Sequence, residues 1–306
     1  MLDASLVVAL ASAASAVAPP AASAVAPPAA FNTFFLFASQ LAVGAAAALL
    51  VVPVARIGRR FFILMTFFSI LFVAFAIAAR GLQTGYLYLI FAALLILYNV
   101  TLPRQSGVDV SAHREESEGG PKRRLTVFAQ AVLWAAVVVG WVALVYDAQE
   151  FPQLPLAAAS GVWLTPVFLT SSFLLGSSLV AMVLGHWYLV LRKLSFEPLR
   201  RATLLVMVSL AARILVAVIS AGLQAEQWDE LLRRGWTAFL LDPGIFVLTR
   251  IVFGFVAPAA LAWMTWRCVQ IHSNQSATGI LYVSLAFVLI GEIIAKYFLV
   301  SAQLIL

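Results

Sequence analysis

Residues 61–79 read Phe61-Phe62-Ile63-Leu64-Met65-Thr66-Phe67-Phe68-Ser69-Ile70-Leu71-Phe72-Val73-Ala74-Phe75-Ala76-Ile77-Ala78-Ala79, nineteen consecutive positions without a charge. At 1.5 Å per residue a helix of this length covers about 28 Å, close to the ~30 Å hydrocarbon core of a bilayer. The same kind of run recurs along the chain, from about Phe34 to Val54, Phe61 to Ala79, Tyr86 to Leu102, Leu125 to Tyr146, Leu164 to Val190, Ala202 to Leu223, Ile245 to Cys268 and Thr278 to Leu304. The expected fold class is therefore an all-α integral membrane protein, an eight-transmembrane-helix bundle occupying residues 34–306.

Composition agrees with that reading. Of 306 residues, 63% are hydrophobic and only 10% charged, and the mean hydropathy is +1.02; a soluble globular chain is about half apolar and a quarter charged. A soluble enzyme is excluded, because no soluble core could hide this much apolar surface. The net charge of +6 points to basic loops at a membrane surface and away from nucleic acid. Cys268, the single cysteine, rules out an internal disulfide, a CxxC pair and a thiolate-held iron–sulfur cluster.

Basic residues are retained on the cytoplasmic side of a membrane, so their distribution sets the orientation. The connections after spans 1, 3, 5 and 7 hold thirteen of the nineteen: Arg56, Arg59, Arg60, Arg104, Arg114, Lys122, Arg123, Arg124, Arg192, Lys193, Arg200, Arg201 and Arg267. The alternate connections hold three, Arg80, Arg233 and Arg234. Both termini are thus expected on the outer, periplasmic side of a bacterial inner membrane.

Three segments stand apart. Residues 1–33 form an Ala/Pro-rich low-complexity tail in which Ala14–Ala21 and Ala22–Ala29 repeat the same octapeptide; an extended tether is expected, and a ninth, Ala-rich span is the weaker alternative. Residues 103–124 read as a polar cytoplasmic loop. Residues 224–242 carry Trp228, Leu231, Leu232, Gly235, Trp236 and Phe239 at helical spacing, with Glu226, Asp229, Glu230 and Arg233 off that stripe, as in a helix lying on the outer surface.

Charges inside spans carry most of the information, because each costs about 2.5–3.5 kcal/mol at mid-span even on insertion scales. Arg213 lies in span 6 and Arg250 near the outer end of span 7, while Glu292 and Lys296 share one face of span 8, four residues apart. Counted from Thr278, Glu292 sits roughly 21 Å along its helix, in the outer half. One reading is a structural ion-pair cluster locking helices together; the other is a wet, protonatable pocket for a quinone headgroup. His186 and His272 both lie towards the cytoplasmic side and are the only conceivable haem ligands, but their interfacial positions disfavour haem. No metal-binding motif, phosphate loop or catalytic constellation is present.

The spans resemble the eight-helix membrane-anchor subunits of dimethyl sulfoxide reductase and, more distantly, polysulfide reductase. The resemblance rests on Phe37-Ala38-Ser39-Gln40-Leu41-Ala42-Val43-Gly44 in span 1, Trp163-Leu164-Thr165-Pro166 and Phe173-Leu174-Leu175-Gly176 in span 5, Arg250-Ile251-Val252 in span 7, and Gly291-Glu292-Ile293-Ile294-Ala295-Lys296 in span 8. It implies a subunit that exchanges electrons with quinone or menaquinone among bound lipids, and partners comprising an iron–sulfur subunit and a molybdopterin catalytic subunit. In such anchors a His near the outer end of span 2 and an acid near the start of span 3 typically face quinol. Here Ala78–Tyr86 has neither, leaving Arg80 and Tyr86 as the residues able to reach a quinone oxygen. A structural accessory subunit of a respiratory or photosynthetic complex, and a standalone transporter, are the alternatives.

Overall fold

The computed structural model describes residues 29–80, 85–102, 121–151, 160–191, 195–233 and 244–306. These residues are helical, with no strand among them. The helices are α1 (Ala29–Leu49), α2 (Arg59–Arg80), α3 (Tyr86–Thr101), α4 (Pro121–Glu150), α5 (Ser160–Val190), α6 (Glu197–Leu223), α7 (Ala225–Arg233), α8 (Ile245–Gln270, with a π-turn at Val252–Val256) and α9 (Asn274–Ser301). All but α3 and α7, seven in number, are long and apolar enough to cross a membrane. α3 has 16 residues, or about 24 Å, and is short for a span, as Gly85 and Leu102 bound it.

The expected spans coincide with these helices except at their ends. α1 stops at Leu49, five residues before the expected Val54, because Pro53 cannot continue a helix; the chain turns at Leu50–Val52 and makes one helical turn at Val54–Ile57. Gly58, at φ 92°, then redirects it into α2, in a region of backbone space that favours glycine. The last span ends at Ser301 instead of Leu304. α4 runs on to Glu150, past the expected end at Tyr146, so Asp147 lies within the helix; it is buried, 3% exposed, and accepts a 2.5 Å hydrogen bond from Tyr88 Oη. Ala143, Leu144 and Ala148 continue the buried face through this last turn. The tail up to residue 28, loop residues 103–120 and residues 234–243 of the interfacial segment lie outside the described residues.

α1 is the centre of the bundle. It packs chiefly against α5 and α2, with α9 and α4 beside it, and 89% of Asn32–Leu49 is buried. Its inward positions are small, Ala38, Ala42, Ala45, Ala46 and Ala48, which lets neighbouring helix backbones approach in the way membrane interfaces use. The closest approach is Gly44 against Gly176 of α5: a Cβ on Gly44 would stand 1.8 Å from the Ser172 carbonyl oxygen, and one on Gly176 would stand 1.8 Å from the Gly44 carbonyl carbon. Outward positions are large and apolar, including Phe67 and Phe75 on α2, Trp134 and Val138 on α4, and Leu215 and Val218 on α6.

Pro166 sits inside α5, and Thr170 Oγ1 donates to the Pro166 carbonyl at 2.7 Å, the same i−4 back-bond that Thr66, Thr203 and Thr265 make in their helices. α7 lies across one end of the bundle, where Trp228 packs on the apolar group formed by Ala295, Phe298, Leu304 and Leu306. The end of the bundle that carries α7 is called the α7 face below.

Because the Gly44–Gly176 contact is backbone against backbone, no side chain can move aside. Gly44→Val and Gly176→Val are each expected to destabilise the detergent-solubilised protein by ~3 kcal/mol or more, read as a large fall in Tm. Gly222→Ala, where nothing lies within 4 Å of the added Cβ, should leave Tm unchanged or slightly higher.

Candidate functional site

Glu292 is fully buried in α9, and three side chains from three other helices, with one from its own helix, converge on its carboxylate. Oε1 accepts from Arg213 Nε of α6 at 3.0 Å and from Arg250 Nη2 of α8 at 2.8 Å. Oε2 accepts from Lys296 Nζ at 3.0 Å and from Ser171 Oγ of α5 at 2.5 Å. Lys296 Nζ also donates to Ser171 Oγ at 2.7 Å. Every lone-pair direction of the carboxylate is thereby used. The four charged residues picked out by sequence thus form one site at the junction of four helices.

Two glycines and a phenylalanine make the slot for Arg250. A Cβ on Gly254 would stand 2.4 Å from Arg250 Nη1, and one on Gly291 would stand 2.8 Å from the same atom and 2.4 Å from Gly254 Cα. On its other side the guanidinium lies over the Phe255 ring, 4.2 Å from its centroid, a cation–π contact strengthened by burial. Gly254 and Phe255 belong to the π-turn Val252–Val256. That wider turn precedes Pro258, which has no N–H for the Gly254 carbonyl and whose ring would crowd it. The planar guanidinium fits this slot; a tetrahedral ammonium would lose the stacking and one of its bonds.

The residues after α9 close the site from the α7 face. Gln303 adopts φ 55°, Ala302 N–H and Leu304 N–H both donate to the Phe298 carbonyl, and the chain folds back into the bundle. Gln224, at the end of α6, holds it there: its Nε2 donates to the Gln303 carbonyl at 3.1 Å and its Oε1 accepts from Ile305 N–H at 2.9 Å. The Leu306 main-chain oxygen then accepts from Arg213 Nη2 at 2.7 Å and from Arg250 Nη2 at 3.4 Å.

Two spaces adjoin the cluster. One is a partly open cavity of about 10 Å³ bordered by Gln40, Ser171, Arg213, Lys296 and Leu306, room for at most about one water-sized particle. The other is an apolar groove of about 450 Å³ on the outside of the bundle, formed by Thr33, Phe34, Phe37, Phe246, Ile293, Ile294 and Tyr297. A quinone ring fits the second and not the first.

The remaining candidates lie apart from Glu292. Tyr86 is 51% exposed and makes an edge contact with Tyr146. Arg80 closes α2, and its side chain is outside the described residues. His186 Nδ1 pairs with Tyr282 Oη at 3.0 Å. His272 is exposed at φ 59° and makes an edge contact with the Phe196 ring, centroids 4.5 Å apart. Each histidine thus has its own aromatic partner, and no group of three or more His, Cys, Asp or Glu able to hold a metal occurs among the described residues. Sequence reading missed Ser171, Gln224 and the folded-back Leu306. Gln40 was quoted only as part of a motif; a lone amide in an Ala-rich span was the available signal that it lines a site.

Removing the Glu292 charge leaves three buried cations facing one another, and loss of one partner of a buried pair costs about 3–5 kcal/mol. Glu292→Gln is expected to lower Tm steeply, whereas Glu197→Gln, which breaks only the exposed i,i+4 pair with Arg201, should change it little. Gly291→Ala should be as damaging as Arg250→Gln, since its Cβ would take the space of the guanidinium and collide with the Gly254 backbone. Thermal unfolding of the purified variants checks the ranking.

No protein family, curated protein or solved structure matches this chain.

Proposed function

We propose that this chain is a membrane-anchor subunit of a multi-subunit respiratory oxidoreductase, joining the quinone pool to an extrinsic iron–sulfur and molybdopterin module. The single observation that carries the reading is spatial. The stretches on which the resemblance rests lie far apart in sequence, yet their residues meet: Gly44 packs on Gly176, Gln40 borders the cavity beside Lys296, and Arg250, Gly291, Glu292 and Lys296 build the ion cluster. A motif set dispersed over four spans that closes into one packing centre is what a shared architecture would preserve.

In this reading the chain spans the membrane eight times, α3 included, with the α7 face outward and thirteen Lys and Arg retained on the opposite side. The extrinsic module docks on the α7 face, where α7 presents Glu226, Asp229 and Arg233 to solvent. The Glu292 cluster acts as the lock that holds α5, α6, α8 and α9 in register. Its carboxylate is saturated with donors and its cavity is too small for a quinone ring, so quinone is assigned to the apolar groove at Phe37 and Ile293. If quinone does not enter that groove, the chain is a structural accessory subunit of the same kind of complex.

Affinity purification of the tagged chain from its native membrane tests the proposal. The expected result is co-purification with iron–sulfur and molybdopterin subunits and quinol-dependent electron transfer. Ile293→Trp, which fills the groove, should raise the KM for quinol or abolish turnover while assembly stays intact. Unchanged kinetics in that variant would leave the accessory role, and a stable lone protein with solute flux would overturn both.

A further inference from the structure

At the end of the bundle opposite α7, the helices α2, α3 and α4 leave an open cavity of about 680 Å³, with Arg59, Ile63, Ile96, Asn99, Val100 and Leu125 among its walls. Its size falls in the ~300–1,000 Å³ range of small-molecule sites. Arg59 opens α2 and Asn99 lies in the last turn of α3, so the cavity sits at the level of one membrane surface, where the uncharged run from Phe61 begins.

One wall is polar and has hydrogen-bonding capacity to spare. Arg59 Nη2 donates to the Asn99 main-chain carbonyl at 3.1 Å, and Thr66 Oγ1 holds the Asn99 carboxamide at 2.8 Å. These bonds fix the guanidinium at the wall while using one of its five N–H groups. Arg59 Nε is buried without a partner, and among the described residues the ion pairs join other groups, so no carboxylate neutralises Arg59. In either orientation of the carboxamide, at least one Asn99 N–H also remains unused. Helix dipoles add to the positive charge. α2 and α4 both begin at this end, with Arg59-Arg60 and Lys122-Arg123-Arg124 in their first turns and no acid among them, so basic residues stand at the positive ends of two helices. An anion in the cavity relieves both.

The other walls face hydrocarbon. Ile96, Val100 and Leu125 are exposed on the outside of the bundle, and Leu97, Val127 and Phe128 continue the apolar surface beside them. A free phosphate gains nothing from such a flank, whereas a lipid sets its phosphate on a basic pocket and lays its chains along the helices. We propose that this cavity binds one anionic glycerophospholipid of the bilayer, with its phosphate on Arg59 and Asn99 and its acyl chains along Ile96, Val100 and Leu125. A net negative headgroup is needed, because the ammonium of a zwitterionic one would stand among Arg56, Arg59 and Arg60. The site is independent of any redox role.

Native mass spectrometry of the full chain in detergent tests the inference, with dioleoyl phosphatidylglycerol, dioleoyl phosphatidylcholine or inorganic phosphate added in turn. The expected result is one phosphatidylglycerol retained more tightly than any further copy and in preference to phosphatidylcholine. Arg59→Gln should weaken that copy roughly tenfold or more, the worth of one charge-assisted hydrogen bond. Arg60→Gln, at an exposed neighbour outside the cavity, should leave it in place. Ile96→Trp, which fills the cavity from an exposed position without touching the polar wall, should expel it. Equal losses in Arg59→Gln and Arg60→Gln would overturn the site in favour of diffuse surface attraction. Equal retention of phosphatidylcholine, displacement by inorganic phosphate, or an undiminished copy in Ile96→Trp would each overturn it as well. The Ile96→Trp result decides even where Arg59→Gln fails to fold.

Discussion

A carboxylate in hydrocarbon with three cations around it is the interaction on which the remainder of the bundle depends. Burying the Glu292 carboxylate is costly without the partners that Arg213 and Arg250 supply, and either arginine in the membrane interior is costly without an acceptor. The three residues lie on α6, α8 and α9, so satisfying them fixes the relative height and rotation of three helices at once. Ser171 adds α5 to the set. Apolar contacts in a bilayer give little preference for one register over another, since lipid tails are as apolar as leucine. A polar centre with a single satisfactory geometry supplies that preference.

The glycines extend the same constraint. Arg250 reaches Glu292 because Gly254 and Gly291 leave a slot at the α8–α9 crossing, and α5 comes close enough for Ser171 because α5 itself is drawn in by the Gly44–Gly176 contact. Small residues here are not filler. They set the distances at which the charged groups can meet, and the π-turn before Pro258 adjusts α8 to the same end.

Much of this was legible in sequence, for a physical reason. Twenty apolar residues in a row have few alternatives to a membrane helix, and charged residues are so costly inside one that Arg213, Arg250, Glu292 and Lys296 announced themselves. What stayed hidden was whatever looked ordinary. Ser171 is one serine among several in α5, and Gln224 reads as the first residue of the surface segment 224–242. Asp147 falls one residue past the apolar run that ends at Tyr146, and its partner Tyr88 is fifty-nine positions away. Ala302–Leu306 extended an apolar run, and only the left-handed backbone at Gln303 turns it inward. Tyr86 was singled out from a gap in a motif, and such a gap does not specify what fills the space.

The order of these residues along the chain has a consequence for biosynthesis. Arg213 and Arg250 are translated 79 and 42 positions before Glu292, so both enter the membrane as unpaired cations and wait for their acceptor. Until α9 follows, the nascent bundle carries a flaw that membrane quality control is able to detect, and a truncated chain would display it permanently. α9 thus supplies the acceptor that turns two costly buried arginines into a lock between helices.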